Sequence, residues 1–393
     1  MSLLPVAEAQ ARLLALAVPM PVETVPIAQA AGRWLADDLR ALRDQPWADL
    51  SAMDGYAVRA ADYPGPWRVT QESAAGASTL LPVCRGEACR IFTGAPLPPG
   101  ADAILIQENA TRVGDRLTAS DDPLPAGRHI RPAASDFATG ATLLEAGAHL
   151  GPTQIALAVL AGHGALPVRR PPRVAILSTG NELVPPGAPT PPGFLPSSNA
   201  PMLAALLAAL PSDVTDLGIV PDDLEAMIAA LESARYADII VTTGGASVGD
   251  HDLVRPAFAA AGGTLDFWKI RMRPGKPLMA GRLDKALFIG LPGNPVSAFV
   301  TATLFLLPLV RHLSGAAQPL PPTSEAPLAA PLPATGERDE YLRAFRTGEG
   351  IVSVTSQDSA ATAAMARADC LILRPAGSPP AQAGDRVMIL PLA

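Results

Sequence analysis

The loop TTGGASVGDHD, residues 242–252, sets a chemical problem. Glycines between an apolar run and a helical pattern let backbone N–H groups approach an anion, yet Asp250 and Asp252 close the same loop. A carboxylate beside a phosphate is repulsive unless a cation lies between them. Two further loops carry related residues: STGNEL (178–183) places Glu182 after a glycine turn, and GLPGNPVS (290–297) places backbone amides and Ser297 at a helix start. Asp222 follows Pro221 after another apolar run and taken alone reads as a helix cap. With Glu182 and Asp252 it makes a hard-oxygen set suited to Mg2+, which is held by one or two carboxylates plus substrate phosphates. Asp250 reads as a cap.

A basic segment, FWKIRMRPGKP (267–277), comes next. On a strand, Lys269, Arg271 and Arg273 share a face, and the Pro–Gly turn brings Lys276 round to them. Beside the glycine loops this cluster reads as an oxyanion pocket; standing alone it would be a solvated edge. The five histidines are scattered without zinc-site spacing.

These loops need strands to hold them. Apolar runs at 173–179, 214–220, 237–243, 265–272 and 286–291 alternate with helical patterns at 198–210, 222–235, 251–262 and after Pro295. Strand–helix alternation predicts a doubly wound, mostly parallel sheet, with ligands gathered beyond the carboxyl ends of its strands. The fold class expected is α/β multidomain: that sheet domain at the centre, β-rich N-terminal domains and a small C-terminal β-barrel-like domain. The expected divisions are 1–45 plus 138–171, an elongated unit opening with a helix at Val6–Ala17; 46–137, β-rich; 172–318, the α/β domain; and 319–393, reached through a Pro-rich connector.

Composition narrows the function classes. With 30 Lys plus Arg against 37 Asp plus Glu, a net charge of -7 argues against nucleic-acid binding through an overall basic surface. The start, MSLLPVAEAQAR, lacks a secretory pattern, and Cys84, Cys89 and Cys370 form no metal-type spacing, so a reducing cytoplasmic setting is expected. The uncharged stretch 286–310 is broken by Pro292, Gly293, Asn294 and Pro295, which predicts a strand and a helix instead of a membrane span.

Six segments, in order, resemble the MoeA-type molybdopterin molybdenumtransferases, the family that includes the C-terminal portion of gephyrin. They are SAMDGYAV (51–58), IFTGAPLPPGADAILIQE (91–108), VAILSTGNEL (174–183), TTGGASVGDHD, RMRPGKP (271–277) and GLPGNPVSAF (290–299). The resemblance implies a molybdopterin-binding central domain that takes adenylylated molybdopterin and molybdate, inserts molybdenum and releases AMP with Mg2+. It implies a cytoplasmic homodimer whose partners are these substrates and other proteins of molybdenum cofactor biosynthesis, with neither nucleic acid nor membrane.

By the same resemblance, Asp54, Glu182, Asp222 and Asp252 are catalytic, the last three holding Mg2+. Substrate binding falls to Thr93, Gly94, Arg131 and Asp136 in the second domain, and to Thr179, Gly180, Gly244, Gly245 and Ser247 in the central one. Lys269, Arg273 and Lys276 join them, as do Pro292, Gly293, Asn294 and Ser297, then Arg343 and Ser359 in the tail. Arg273 stands where the family often has Lys, Ser135 where an acid is common, and Asp358 where Gly is common. Other readings of the same residues are a molybdopterin adenylyltransferase, which residues 172–314 alone resemble, a non-enzymatic scaffold, and a nucleotide pyrophosphatase.

Overall fold

Apolar runs without polar alternation suit strands buried on both faces, and the chain stacks such runs into one sheet. The computed structural model describes residues 3–120, 123–245 and 253–392. In chain order the central strands are β1 (Arg173–Thr179), β2 (Asp213–Val220), β3 (Ile239–Thr243), β4 (Thr264–Trp268), β5 (Met279–Leu283) and β6 (Ala286–Leu291). Their spatial order is β2-β1-β3-β6-β5-β4. The pairings from β2 through β6 are parallel, and β5 runs antiparallel to both neighbours.

Two features differ from the sequence reading. β5 was not expected, because Gly281 interrupts its apolar pattern; the glycine is needed, since a Cβ there would lie 2.3 Å from the Thr264 carbonyl oxygen of β4. β4 ends at Trp268 and does not run to residue 272, because Lys269 takes φ 72°, a left-handed turn that no strand continues through.

Helices cover both faces: α1 (Val6–Leu16), α2 (Asn199–Leu207), α3 (Leu224–Ser233), α4 (Val254–Ala260) and α5 (Pro295–Leu313). Leu13 of α1, Leu203 of α2 and Phe305 of α5 are buried on one face; Met227 and Leu231 of α3 and Phe258 of α4 are buried on the other. The chain's first helix therefore belongs to the core around the central sheet. A π-turn over Ala302–Leu306 of α5 leaves the Leu304 carbonyl to accept a hydrogen bond from Gln10 Nε2 of α1 at 2.8 Å. By length and composition α5 could cross a membrane, but 78% of it is buried in the protein, which makes it a core helix.

Residues 22–26 pair with 165–169 on the way out of and back into the α/β region. Between them a second six-stranded sheet, spanning residues 55–119, closes around Trp67 and Leu117. A third sheet builds the tail from segments 324–327, 339–347, 370–374 and 386–391. Met272–Arg273 of the central region joins that sheet, pairing in parallel with Asp339 and Glu340. The tail is thereby sewn to the α/β unit by backbone hydrogen bonds.

Candidate active site

Strands β1, β3 and β6 end at Thr179, Thr243 and Leu291, and the loops that follow surround a cleft of about 480 Å³. That volume suits a small-molecule ligand. Thr179, Gly180, Glu182 and Asp222 line it, with Gly244 and Gly245 beside them. The loop after β6 adds Pro292, Gly293, Asn294 and Ser297. The glycines let these loops touch: Gly244 has φ 99°, and a Cβ there would meet the Thr179 carbonyl oxygen at 2.5 Å. A Cβ on Gly293 would stand 3.2 Å from Gly244 Cα.

The acids are set by local geometry. Helix α3 is capped by Asp223, whose carboxylate accepts the Ala226 N–H at 2.9 Å, so the cap reading passes to Asp223 and leaves Asp222 free of it. Asp222 instead turns to the first loop, accepting the Asn181 N–H at 3.1 Å and donating its own N–H to Asn181 Oδ1 at 3.0 Å. Glu182 folds back over Gly180, where a Cβ would lie 2.6 Å from Glu182 Oε2. The start of α5 is less open than its glycine suggested. Asn294 Oδ1 already accepts the Val296 and Ser297 N–H groups, at 3.1 and 3.4 Å, so Ser297 lines the cleft without a free amide.

The far wall, Leu195 to Asn199, was absent from the sequence-derived set. Asn199 is 8% exposed and donates from Nδ2 to the Gly293 carbonyl at 2.7 Å, and Ser197 Oγ donates to Ser178 Oγ at 3.2 Å. The signal available was the polar run SSN at a helix start.

The basic segment is dispersed, because the left-handed turn at Lys269 ends the shared strand face. Lys269 Nζ lies 4.0 Å from the centroid of the Trp268 ring, in a depression with Arg12 and Arg255. Arg273 meets Glu340 of the tail at 3.6 Å. Lys276 lines a separate depression with Arg271 and Arg338. Among the described residues only Pro277 of this segment lines the cleft itself.

The second-domain motifs meet one another and do not line the cleft. Asp54 Oδ1 accepts the Thr93 N–H at 2.7 Å and the Thr93 hydroxyl at 2.9 Å. These bonds, the backbone one foremost, hold the Asp54 carboxyl below its ordinary range. Gly94 N–H donates to the Ser51 carbonyl at 2.8 Å, and Arg131, exposed, pairs by backbone with Leu50. Asp136 is exposed as well, its N–H donating to the Gln45 carbonyl at 2.9 Å.

In the tail, Arg343 is only 1% exposed and faces backbone instead of open space. It donates to the Asp358 carbonyl at 3.1 Å and the Ala361 carbonyl at 3.4 Å, fixing the loop that carries Ser359. The turn of helix that follows, Thr362–Met365, lies against the first turns of α5.

Ser247, Asp250 and Asp252 lie outside the described residues. Among the described residues no group of three or more His, Cys, Asp or Glu is placed to hold a metal. Glu182 and Asp222 nevertheless present hard carboxylate oxygens to one cleft, a donor type and number that fit Mg2+ completed by substrate oxygens.

Three family models match in succession: the MoeA N-terminal region (domain I and II) over residues 4–162, the probable molybdopterin binding domain over 175–312, and the MoeA C-terminal region (domain IV) over 325–392. Molybdopterin molybdenumtransferase 2 of Mycobacterium tuberculosis is 38% identical over 337 residues, 82% of each chain. The molybdopterin molybdenumtransferase of Haemophilus influenzae is 35% identical over 386 residues, 95% of each. A crystal structure of a molybdopterin biosynthesis MoeA protein from Pyrococcus horikoshii superposes with a TM-score of 0.84 at 29% identity, covering 99% of both chains.

Proposed function

The chain belongs to the MoeA family of molybdopterin molybdenumtransferases, and on that premise we propose that its cleft binds adenylylated molybdopterin, lets water hydrolyse the phosphoanhydride to release AMP, and inserts molybdenum from molybdate into the dithiolene, whose two sulfurs displace molybdate oxygen that leaves as water. It is a transferase of molybdenum cofactor biosynthesis. The observation that carries the finer reading is the convergence of Glu182 and Asp222 with the 243–245 and 292–297 loops on one cleft at the carboxyl edge of the sheet.

In this reading Gly244, Gly245, Gly293 and Asn294 shape the wall against which the ligand's phosphates lie, and the Thr179 and Ser297 side chains complete it. Glu182 and Asp222, with Asp252, hold Mg2+, which when bound offsets the pyrophosphate charge. The Asn181–Asp222 hydrogen bonds hold the Asp222 carboxylate in place at that corner, so it needs little rearrangement during cleavage. Asp54 and Thr93 are assigned to a second subunit's share of the site, which makes the working unit a homodimer, in the cytoplasm.

The test is direct. Purified protein mixed with adenylylated molybdopterin, Mg2+ and molybdate should release AMP in a molybdate-dependent manner. A folded preparation that releases none removes this reading.

A further inference from the structure

In the second-domain sheet, the strand Gly55–Val58 begins directly after Asp54 and pairs antiparallel with Glu87–Ile91 on one side and Ala103–Ile106 on the other. That register sets Arg90 opposite Tyr56, and Phe92 follows two residues on, where side chains return to the same face. The Arg90 guanidinium carbon lies 5.1 Å from the Tyr56 ring centroid and 4.7 Å from that of Phe92. Two rings against one guanidinium limit the directions in which a long side chain can point.

The direction chosen is towards the backbone around Asp54. Arg90 Nη1 donates to the Gly55 carbonyl at 2.9 Å and Nη2 to Gln107 Oε1 at 3.0 Å. The Gln107 N–H in turn donates to the Asp54 carbonyl at 3.1 Å. Asp54 is thus held at its own carbonyl and at the next one, while Thr93, the residue after Phe92, holds its carboxylate. Gly55 leaves this corner no slack, since a Cβ there would lie 2.1 Å from the Leu105 carbonyl oxygen. Glu72 stands opposite Arg90 in the register of the neighbouring parallel strand, yet Arg90 takes part in no ion pair among the described residues. Its charge therefore acts on Asp54, adding to the larger effect of the Thr93 bonds in lowering the carboxyl pKa.

We propose that Arg90 is a positioning residue for Asp54: through the Gly55 carbonyl, the Gln107 side chain and the Phe92 ring it fixes where the Asp54 carboxylate is presented. That Asp54 serves the reaction rests on the functional reading above; that Arg90 holds Asp54 does not. The task needs a planar fork, because two acceptors must be reached at once from one rigid group.

The experiment follows the Asp54 carboxyl carbon by NMR titration of the full chain without pterin, alongside AMP release and thermal unfolding, with Asp54→Asn identifying the resonance. Arg90→Met keeps an apolar stem against the rings and removes both fork and charge. The Asp54 pKa should then rise, and kcat for AMP release should fall about tenfold with KM for adenylylated molybdopterin unchanged. Arg90→Lys returns the charge without the fork and should reverse only part of either change. Leu117→Val, a buried change on the Arg116–Ala119 strand of the same sheet, controls for general loosening: the melting temperature should fall while the Asp54 titration stays in place. An Asp54 titration unmoved in Arg90→Met, or restored in full by Arg90→Lys, overturns the positioning role. If Arg90→Met moves the titration while Asp54→Asn releases AMP normally, Asp54 leaves the functional reading and Arg90 keeps its role.

Discussion

Asn181 and Asp222 hold each other by reciprocal hydrogen bonds, Asp222 N–H to Asn181 Oδ1 at 3.0 Å and Asn181 N–H to Asp222 Oδ2 at 3.1 Å. Two loops from adjacent parallel strands are thereby joined at the corner where Glu182 also stands. Asp223, one residue on, does a different job as the cap of α3.

Consecutive aspartates with different jobs give opposite mutational signatures. Asp222→Asn keeps an oxygen for the Asn181 N–H and removes the charge, so melting temperature should hold while AMP release falls about a hundredfold. Asp223→Ala should cost about 1 kcal/mol of stability, a melting shift of about 2–4 °C, with AMP release retained. Thermal unfolding and an AMP assay on both variants decide it. Equal losses of activity would mean that Asp222 acts only through structure.

Gly244 makes a steric prediction. Its φ of 99° strains any side chain, and a Cβ would also meet Thr179 at the carbonyl oxygen, 2.5 Å, and at Oγ1, 2.6 Å. Gly187, at φ 80° with nothing within 4 Å of an added Cβ, carries only the strain. Gly187→Ala should therefore cost about 1–2 kcal/mol, and Gly244→Ala about 1–3 kcal/mol more. Urea denaturation measures both. Matching costs would show that the loop after β3 has room to give.

What could be read in advance depended on whether local pattern or distant pairing decides. Strands β1, β3 and β6 were legible because burial on both faces leaves an uninterrupted apolar run, and their loops follow from where the runs stop. Which of Asp222 and Asp223 caps the helix was not legible, since the two differ only in register. Lys269 gives no sign of a left-handed turn, so the shared face expected for Lys269, Arg271 and Arg273 was a fair inference that one dihedral undoes. The joint between the α/β unit and the tail depends on Met272–Arg273 finding Asp339–Glu340 some 67 residues later, a pairing that no local pattern encodes.

Thr93 tunes Asp54, and the sign can be worked out. Its backbone N–H, then its hydroxyl, favour the ionised carboxylate against a smaller desolvation effect, with Arg90 adding to the depression. A depressed carboxyl pKa gives a contribution that is present above the unfolded value and lost as pH falls through the folded one. Thr93→Val keeps the backbone bond and removes the hydroxyl, so the Asp54 pKa should rise towards its ordinary value without reaching it. Carboxyl-carbon NMR titration reads this directly. An unmoved titration would show that the hydroxyl bond is not made in solution.

Arg343 separates a positioning role from a binding one. A buried guanidinium loses solvation, which lowers its pKa, while Asp358 works the other way; its bonds to the Asp358 and Ala361 carbonyls offset that loss. Arg343→Ala should remove those bonds and leave a void, destabilising the chain by roughly 2–4 kcal/mol. Arg343→Lys keeps a charge but not the fork, and should fall between. Ser359→Ala touches none of those bonds and should leave stability within about 0.5 kcal/mol of wild type. If the loop held by Arg343 serves the reaction through Ser359, Ser359→Ala should raise KM for molybdate without moving the unfolding midpoint, and Arg343→Lys should move both. A Ser359→Ala chain with unchanged KM, alongside an Arg343→Lys chain that loses stability alone, would confine this loop to holding the tail together.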